Sequence, residues 1–279
     1  MPAPYEVYAI RYARHADRTA RQNFIGADEH DGPSPLDFFV WLVRGEAGTF
    51  LVDTGFDAAM AARRGRSLTA PVAEGLAALG VAPGAIEDIV VTHMHYDHAG
   101  NHALFPAARY HLQDDEMAYA TGRCMTHAAL RQAYAADDVA EMVRKVFDER
   151  VVFHAGEAEL APGLSLHLIG GHTKGMQAVR VWTRRGWLVL ASDAAHLYAN
   201  MDEGRPFPIV HDVAAMLEGH RTLKRLASHD DLVIPGHDPI VLARFPPPDP
   251  ALAGHIARLD ADPAPDIPSS FAEAPPPRG

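Results

Sequence analysis

The run Thr92-His93-Met94-His95-Tyr96-Asp97-His98-Ala99-Gly100 places four side chains that can ligate a metal within six residues. It follows Ile89-Val90-Val91, an apolar β-branched segment that predicts a short buried strand. The ligands therefore leave a strand end, on a loop carried by a rigid scaffold. Three more polar residues fall in the same kind of place. His172 follows a strand predicted over residues 164–169, Asp193 one over 187–191, and His237 one over 232–234. Strand ends on one edge of a sheet converge, so His93, His95, Asp97, His98, His172, Asp193 and His237 form one candidate metal site.

The residue types narrow the chemistry. The chain has 17 histidines and a single cysteine, Cys124, so it can form neither an intramolecular disulfide nor a thiolate-rich zinc site. Imidazole and carboxylate suit zinc and its first-row neighbours. Seven ligands are too many for one tetrahedral ion. They suit two ions roughly 3.5–4 Å apart that share a carboxylate and a water. The expected cofactor is thus a pair of divalent ions, zinc foremost, with manganese, iron or cobalt compatible with the same ligands.

Outward from this run the chain alternates strands and helices. Residues 5–14 predict a strand, and residues 38–44 and 49–52 a hairpin ending at Asp53-Thr54-Gly55. Val72, Leu76 and Leu79 recur at helical spacing, with Gly80 as the C-terminal cap. A strand is expected at 109–112 and helices at 114–119 and 137–148. A second hairpin follows at 178–183 and 187–191, then an amphipathic helix at 212–226. Two strand-rich halves, each followed by helices, predict two sheets packed face to face with helices outside. The expected domain spans 1–245. Residues 246–279 are rich in proline and are expected to form an extended or partly disordered tail.

Composition bounds the rest. At 279 residues the chain suffices for one large core, and 48% hydrophobic with 22% charged residues is ordinary for a soluble globular protein. A net charge of −11 argues against a nucleic-acid partner, since phosphate binding depends on Lys and Arg. No stretch reaches the roughly 20 apolar residues of a membrane span, and the first residues lack the apolar core of a signal peptide. The expectation is a cytoplasmic protein with no membrane or nucleic-acid partner; its oligomeric state stays open, a homodimer included.

The H-x-H-x-D-H run after a short strand, followed by a His, an Asp and a His at these distances, resembles the metallo-β-lactamase superfamily. The resemblance covers about residues 53–237 and implies an α+β four-layer αββα sandwich. It implies that His93, His95 and His172 hold one metal, that Asp97, His98 and His237 hold the other, and that Asp193 bridges. Asp193 stands where true β-lactamases use a Cys on the second metal, which argues against antibiotic hydrolysis. His95 stands where the diiron redox branch has Glu, which favours hydrolysis.

Within the superfamily the chain looks most like the acyl-homoserine lactonases. The expected function is therefore opening of a lactone ring, the quorum-quenching reaction or a related one, by a metal-bridging hydroxide. Asp97 would carry a proton to the leaving alkoxide. There are two departures. His172-Thr173-Lys174-Gly175-Met176 replaces the family's His-Thr-Pro-Gly-His. His196 stands where the lactonases place a substrate-contacting Tyr, with Tyr198 two residues on; either could hydrogen-bond the substrate. The alternatives are thioester hydrolysis of the glyoxalase II type, or hydrolysis of another small cyclic ester or amide.

Other residues take plainer readings. Asp53 is expected to be a structural carboxylate that orients a ligand histidine. His102, His111, His127, His154, His167, His211, His220 and His229 have no motif around them, and Cys124 reads as an inert thiol. Residues 197–207 are expected to wall the substrate pocket, and residues 119–134 to cap it with Met125 and Leu130.

Overall fold

Phe38, Val40 and Leu42 alternate with Phe39, Trp41 and Val43, and all six are buried. A strand buried on both faces must lie between two layers. The computed structural model, which describes residues 2–28 and 30–265, shows those layers. Phe38, Val40 and Leu42 pack into one apolar cluster with the helical residues Leu76, Tyr119 and Met142. Phe39, Trp41 and Val43 pack into a second, against Leu166, Val179, Val181 and Leu190.

The strands are β1 (Glu6–His15), β2 (Leu36–Gly45), β3 (Gly48–Val52), β4 (Ser67–Leu68), β5 (Asp88–Val90), β6 (Arg109–Gln113) and β7 (Val151–His154). The second half supplies β8 (Ala158–Ala161), β9 (Leu164–Leu168), β10 (Gln177–Thr183), β11 (Gly186–Ser192), β12 (Val233–Pro235) and β13 (Ile256–Arg258). The first sheet runs β13-β1-β2-β3-β5-β6-β7, with β4 also paired to β1, and the second β12-β11-β10-β9-β8. The helices Val72–Ala78 and Ala136–Phe147 lie on the first sheet's outer face, and Val213–Leu226 on the second's. This is the expected αββα sandwich.

The ligand-bearing strands β5, β11 and β12 all run parallel to a neighbour: β5 pairs β3 and β6, and β11 pairs β12. Parallel strands end on the same edge, so the loops after them meet there. Asp53 follows β3, His93 to His98 follow β5, Asp193 follows β11, and His237 follows β12.

The predicted helices and hairpins are found within a few residues. Gly80 adopts φ 74 and closes its helix on the Ala77 carbonyl. Strands β4, β7, β8 and β13 were not expected. Ile256–Arg258 pairs antiparallel with β1 and buries Ile256, Ala257 and Leu259, so the start of the proline-rich segment belongs to the first sheet. Its prolines flank the strand, as they must where backbone N–H groups are needed for pairing. Residues 266–279 lie outside the described residues. Among the described residues no helix is long and apolar enough to cross a membrane.

Candidate metal centre

Asp53 sets the geometry of the first half of the site. It adopts φ 63, a left-handed conformation that Asp tolerates better than most residues. Its Oδ1 accepts the Thr92 backbone N–H at 2.7 Å and its Oδ2 the Thr92 hydroxyl at 2.8 Å. Oδ2 also lies 2.7 Å from His98 Nδ1. A carboxylate can only accept, so His98 Nδ1 donates to it and Nε2 faces the site. This fits the expectation that Asp53 orients a ligand histidine without ligating. Against the effect of burial, the surrounding Asp193, Asp97 and Asp53 carboxylates raise His98 well above the ordinary imidazole range, the pull of an anionic site on any cation.

Two other histidines are held by carbonyls. His172 Nδ1 donates to the Ile209 carbonyl at 2.6 Å and His237 Nδ1 to the Asp37 carbonyl at 2.8 Å. Each Nε2 is thereby aimed inward, the orientation in which an imidazole ligates a metal.

The inward atoms meet in two groups. His93 Nε2 and His172 Nε2 lie 3.0 and 2.9 Å from His95 Nδ1. These three ring nitrogens face one another closely enough for one cation to be shared among them. The second group is Asp97, His98 and His237, with Asp97 Oδ2 at 3.6 and 3.7 Å from the two Nε2 atoms. Asp193 stands between them. Its Oδ2 is 3.4 Å from His172 Nε2 and 3.9 Å from His93 Nε2, while its Oδ1 is 2.9 Å from His237 Nε2 and 3.3 Å from His98 Nε2. His98 Nε2 and Asp193 Oδ1 are buried without a hydrogen-bond partner among the described residues. Orphaned atoms of this kind carry a desolvation cost that a bound cation removes.

Electrostatics points the same way. Burial, and then the neighbouring histidines, push His93 and His95 far below the ordinary imidazole range, so both rings are neutral. Burial alone would raise Asp193, but His237, His98 and His196 hold it ionised. Neutral imidazoles and ionised carboxylates are the forms that ligate.

All seven expected ligands are thus brought together. The His196/Tyr198 pair divides. His196 lines the pocket, stacked on Phe207 at 3.5 Å, with Nε2 at 2.9 Å from Asp193 Oδ2. Tyr198 does not reach the site: it lies in the inter-sheet core with the Arg244 guanidinium over its ring. It opens the helix Tyr198–Asp202, which turns its side chain inward. The pocket wall comes from Pro208 and Ile209, just beyond the 197–207 stretch expected to form it. From the segment 119–134, Gln132 and Ala133 line the pocket and Tyr134 stacks edge-on against His95; Met125 and Leu130 are not among the lining residues.

One central residue carries no sequence signal. Glu116 is fully buried and accepts from the Met94 N–H, the Tyr134 and Thr173 hydroxyls and the Gly175 N–H. It ties the His93–His95 loop to the His172 loop. Gly175 permits the approach, since a Cβ there would stand 2.1 Å from the Glu116 nitrogen. That contact accounts for Gly in His172-Thr173-Lys174-Gly175-Met176. In the sequence Glu116 stands among Asp114 and Asp115 in a first helical turn, where acids are favoured in any case.

The chain belongs to the metallo-beta-lactamase superfamily, whose family model matches residues 36–237. It is 30% identical to the N-acyl homoserine lactonase AiiB of Agrobacterium fabrum over 217 residues, 71% of this chain and 78% of that one. It is also 30% identical over 197 residues to human metallo-beta-lactamase domain-containing protein 1, covering 69% of this chain and 59% of the human one. A crystal structure of a quorum-quenching N-acyl homoserine lactone lactonase superposes with a TM-score of 0.69 at 24% identity, over 85% of this chain and 93% of that chain. The likeness to that structure bears on the fold.

Proposed function

We propose that this chain is a hydrolase that opens a lactone ring with two divalent ions, zinc first among them. His93, His95 and His172 would hold one ion, and Asp97, His98 and His237 the other. The observation that carries the reading is Asp193, whose two oxygens face the two groups separately, as a bridging carboxylate must. The lactonases among the relatives support the lactone as substrate class. Such an ion pair supplies a deprotonated water near neutral pH and polarises the carbonyl under attack.

The protein's own groups do the remainder. Asp97 lines the pocket and is placed to pass a proton to the leaving alkoxide. His196 offers its Nε2 to Asp193 Oδ2, and its Nδ1 is buried without a partner among the described residues, so its role is to orient Asp193.

The test is the zinc-loaded full chain assayed on lactones, thioesters and phosphodiesters, with His95→Ala and Asp97→Asn as controls. Lactone turnover lost in both variants, with about two ions per chain in the parent, is the expected result. A thioester turned over while every lactone is untouched would refute it.

A further inference from the structure

The pocket over this centre has a volume of about 510 Å³, and its outer lining includes Arg18, Arg21, Arg64 and Arg66. That is an unusual place for four cations on a chain of net charge −11. They come from two distant stretches: the turn after β1 with the short helix Ala20–Asn23, and the end of the helix Ala58–Arg64 with the residue before β4.

Arg18, Arg64 and Arg66 are held in place by neutral groups, and Arg21 is exposed at the rim. Arg64 donates to the Gln132 and Tyr134 carbonyls and lies over the Tyr96 ring at 4.4 Å. Arg66 donates to the Tyr96 hydroxyl at 3.1 Å and to the Arg64 carbonyl at 2.7 Å. Arg18, 7% exposed, donates to the Asn23 side chain and the Gln22 carbonyl. None of the four lies within 4.0 Å of a carboxylate oxygen among the described residues. By contrast Arg11 and Arg14, just before them in the chain, both pair with Asp37.

Clustered guanidinium groups repel one another, and a buried one without a counter-ion is costly. Burial and the nearby Arg66 both push Arg18 below its usual range. Asp97 and Asp193 line the same pocket and offset part of this charge. Under the reading above those two carboxylates are committed to the ions, which leaves the arginines for something else. A neutral acyl chain has no use for them. Their forked donors match a carboxylate or similar compact anion.

We infer that the substrate is an anionic lactone, its negative group received by Arg18, Arg21, Arg64 and Arg66. The inference rests on the lactone-hydrolase reading for the reacting bond, and on the arginines alone for the charge.

The probes are the γ-lactone of 2-hydroxyglutarate, whose ring bears a carboxylate, and the uncharged primary carboxamide of the same ring. With zinc-loaded protein, kcat/KM should favour the carboxylate by roughly tenfold or more, the size of one charge-assisted hydrogen bond. In the Arg64→Gln/Arg66→Gln double variant the ratio should fall to near one, whereas Arg144→Gln, on an exposed helix, should keep it. Equal rates in the parent, or a preference that survives the double variant, would overturn the inference. If neither lactone is opened, the wider panel of lactones, thioesters and phosphodiesters decides the hydrolase reading separately. Calorimetric titration with 2-hydroxyglutarate then decides the anion site. Binding weakened about tenfold by the double variant upholds it, and equal or absent binding overturns it.

Discussion

Asp53 Oδ2 and His98 Nδ1 lie 2.7 Å apart in the fully buried floor of the candidate site. The contact fixes which nitrogen of His98 faces the candidate metal site. It also binds the end of β3 to the loop after β5, because the same carboxylate holds the Thr92 N–H.

Asp53→Asn should therefore fold, since Asn also tolerates the left-handed backbone. It should bind zinc roughly 10–100-fold more weakly, the usual effect of losing a ligand's hydrogen-bond partner. Asp53→Ala should lose several degrees more in Tm, because it adds backbone strain and leaves buried donors unpaired. Competition with a chromophoric chelator and a thermal melt measure the two effects. Equal Tm for the two variants would remove the strain argument.

Gly175→Ala should be severely destabilising, with a loss of roughly 2–4 kcal/mol, as for other core overpacking. Its Cβ would meet Glu116 backbone atoms at 2.1 and 2.4 Å, which no side-chain rotation relieves. Urea unfolding measures the loss. A change under roughly 0.5 kcal/mol, ordinary for a surface site, would mean that the loops part easily.

His196→Phe and Tyr198→Phe should behave differently, although both residues are buried and stand two positions apart. The first removes the partner of Asp193 Oδ2 and should cut kcat/KM by about tenfold or more. The second removes a hydroxyl that lies outside the pocket lining and has no hydrogen-bond partner within 3.5 Å among the described residues, so activity should stay within about twofold. Steady-state kinetics with metal content determined in parallel decides between them.

His102 gives a pH dependence. It is buried against Tyr110, and burial, with Lys145 nearby, lowers it from 6.5 to about 4. Between those values the unfolded chain binds a proton that the folded chain refuses. The folded state is therefore fully favoured above pH 6.5 and loses stability as pH falls toward 4. The loss across that window is on the order of 3 kcal/mol. His102→Leu should flatten the slope of unfolding free energy between pH 7 and 5. An unchanged slope would assign it to other histidines.

The candidate ligands were legible because they form a dense run at one strand end and recur after strands identifiable by their β-branched residues. The two-sheet architecture followed from the same strands. What stayed hidden depends on contacts between distant segments. Glu116 looks like any acid in a first helical turn. The four pocket arginines are ordinary surface residues until the turn after β1 meets the end of the helix Ala58–Arg64. Tyr198 and His196 differ by two positions, and only the short helix at Tyr198–Asp202 decides which one faces the pocket. Strand β13 was masked by its prolines, whose effect depends on whether they interrupt a strand or flank it.

The site draws Asp53, His93, His95, Asp97 and His98 from the first sheet's edge, and His172, Asp193 and His237 from the second's. A cation held there would rivet one sheet to the other. Its affinity is then a gauge of how well the sandwich is closed. A cavity cut far away between the sheets, at Trp41 or Val181, would let the halves drift by fractions of an ångström and be felt first as a looser grip on metal, well before the chain unfolds.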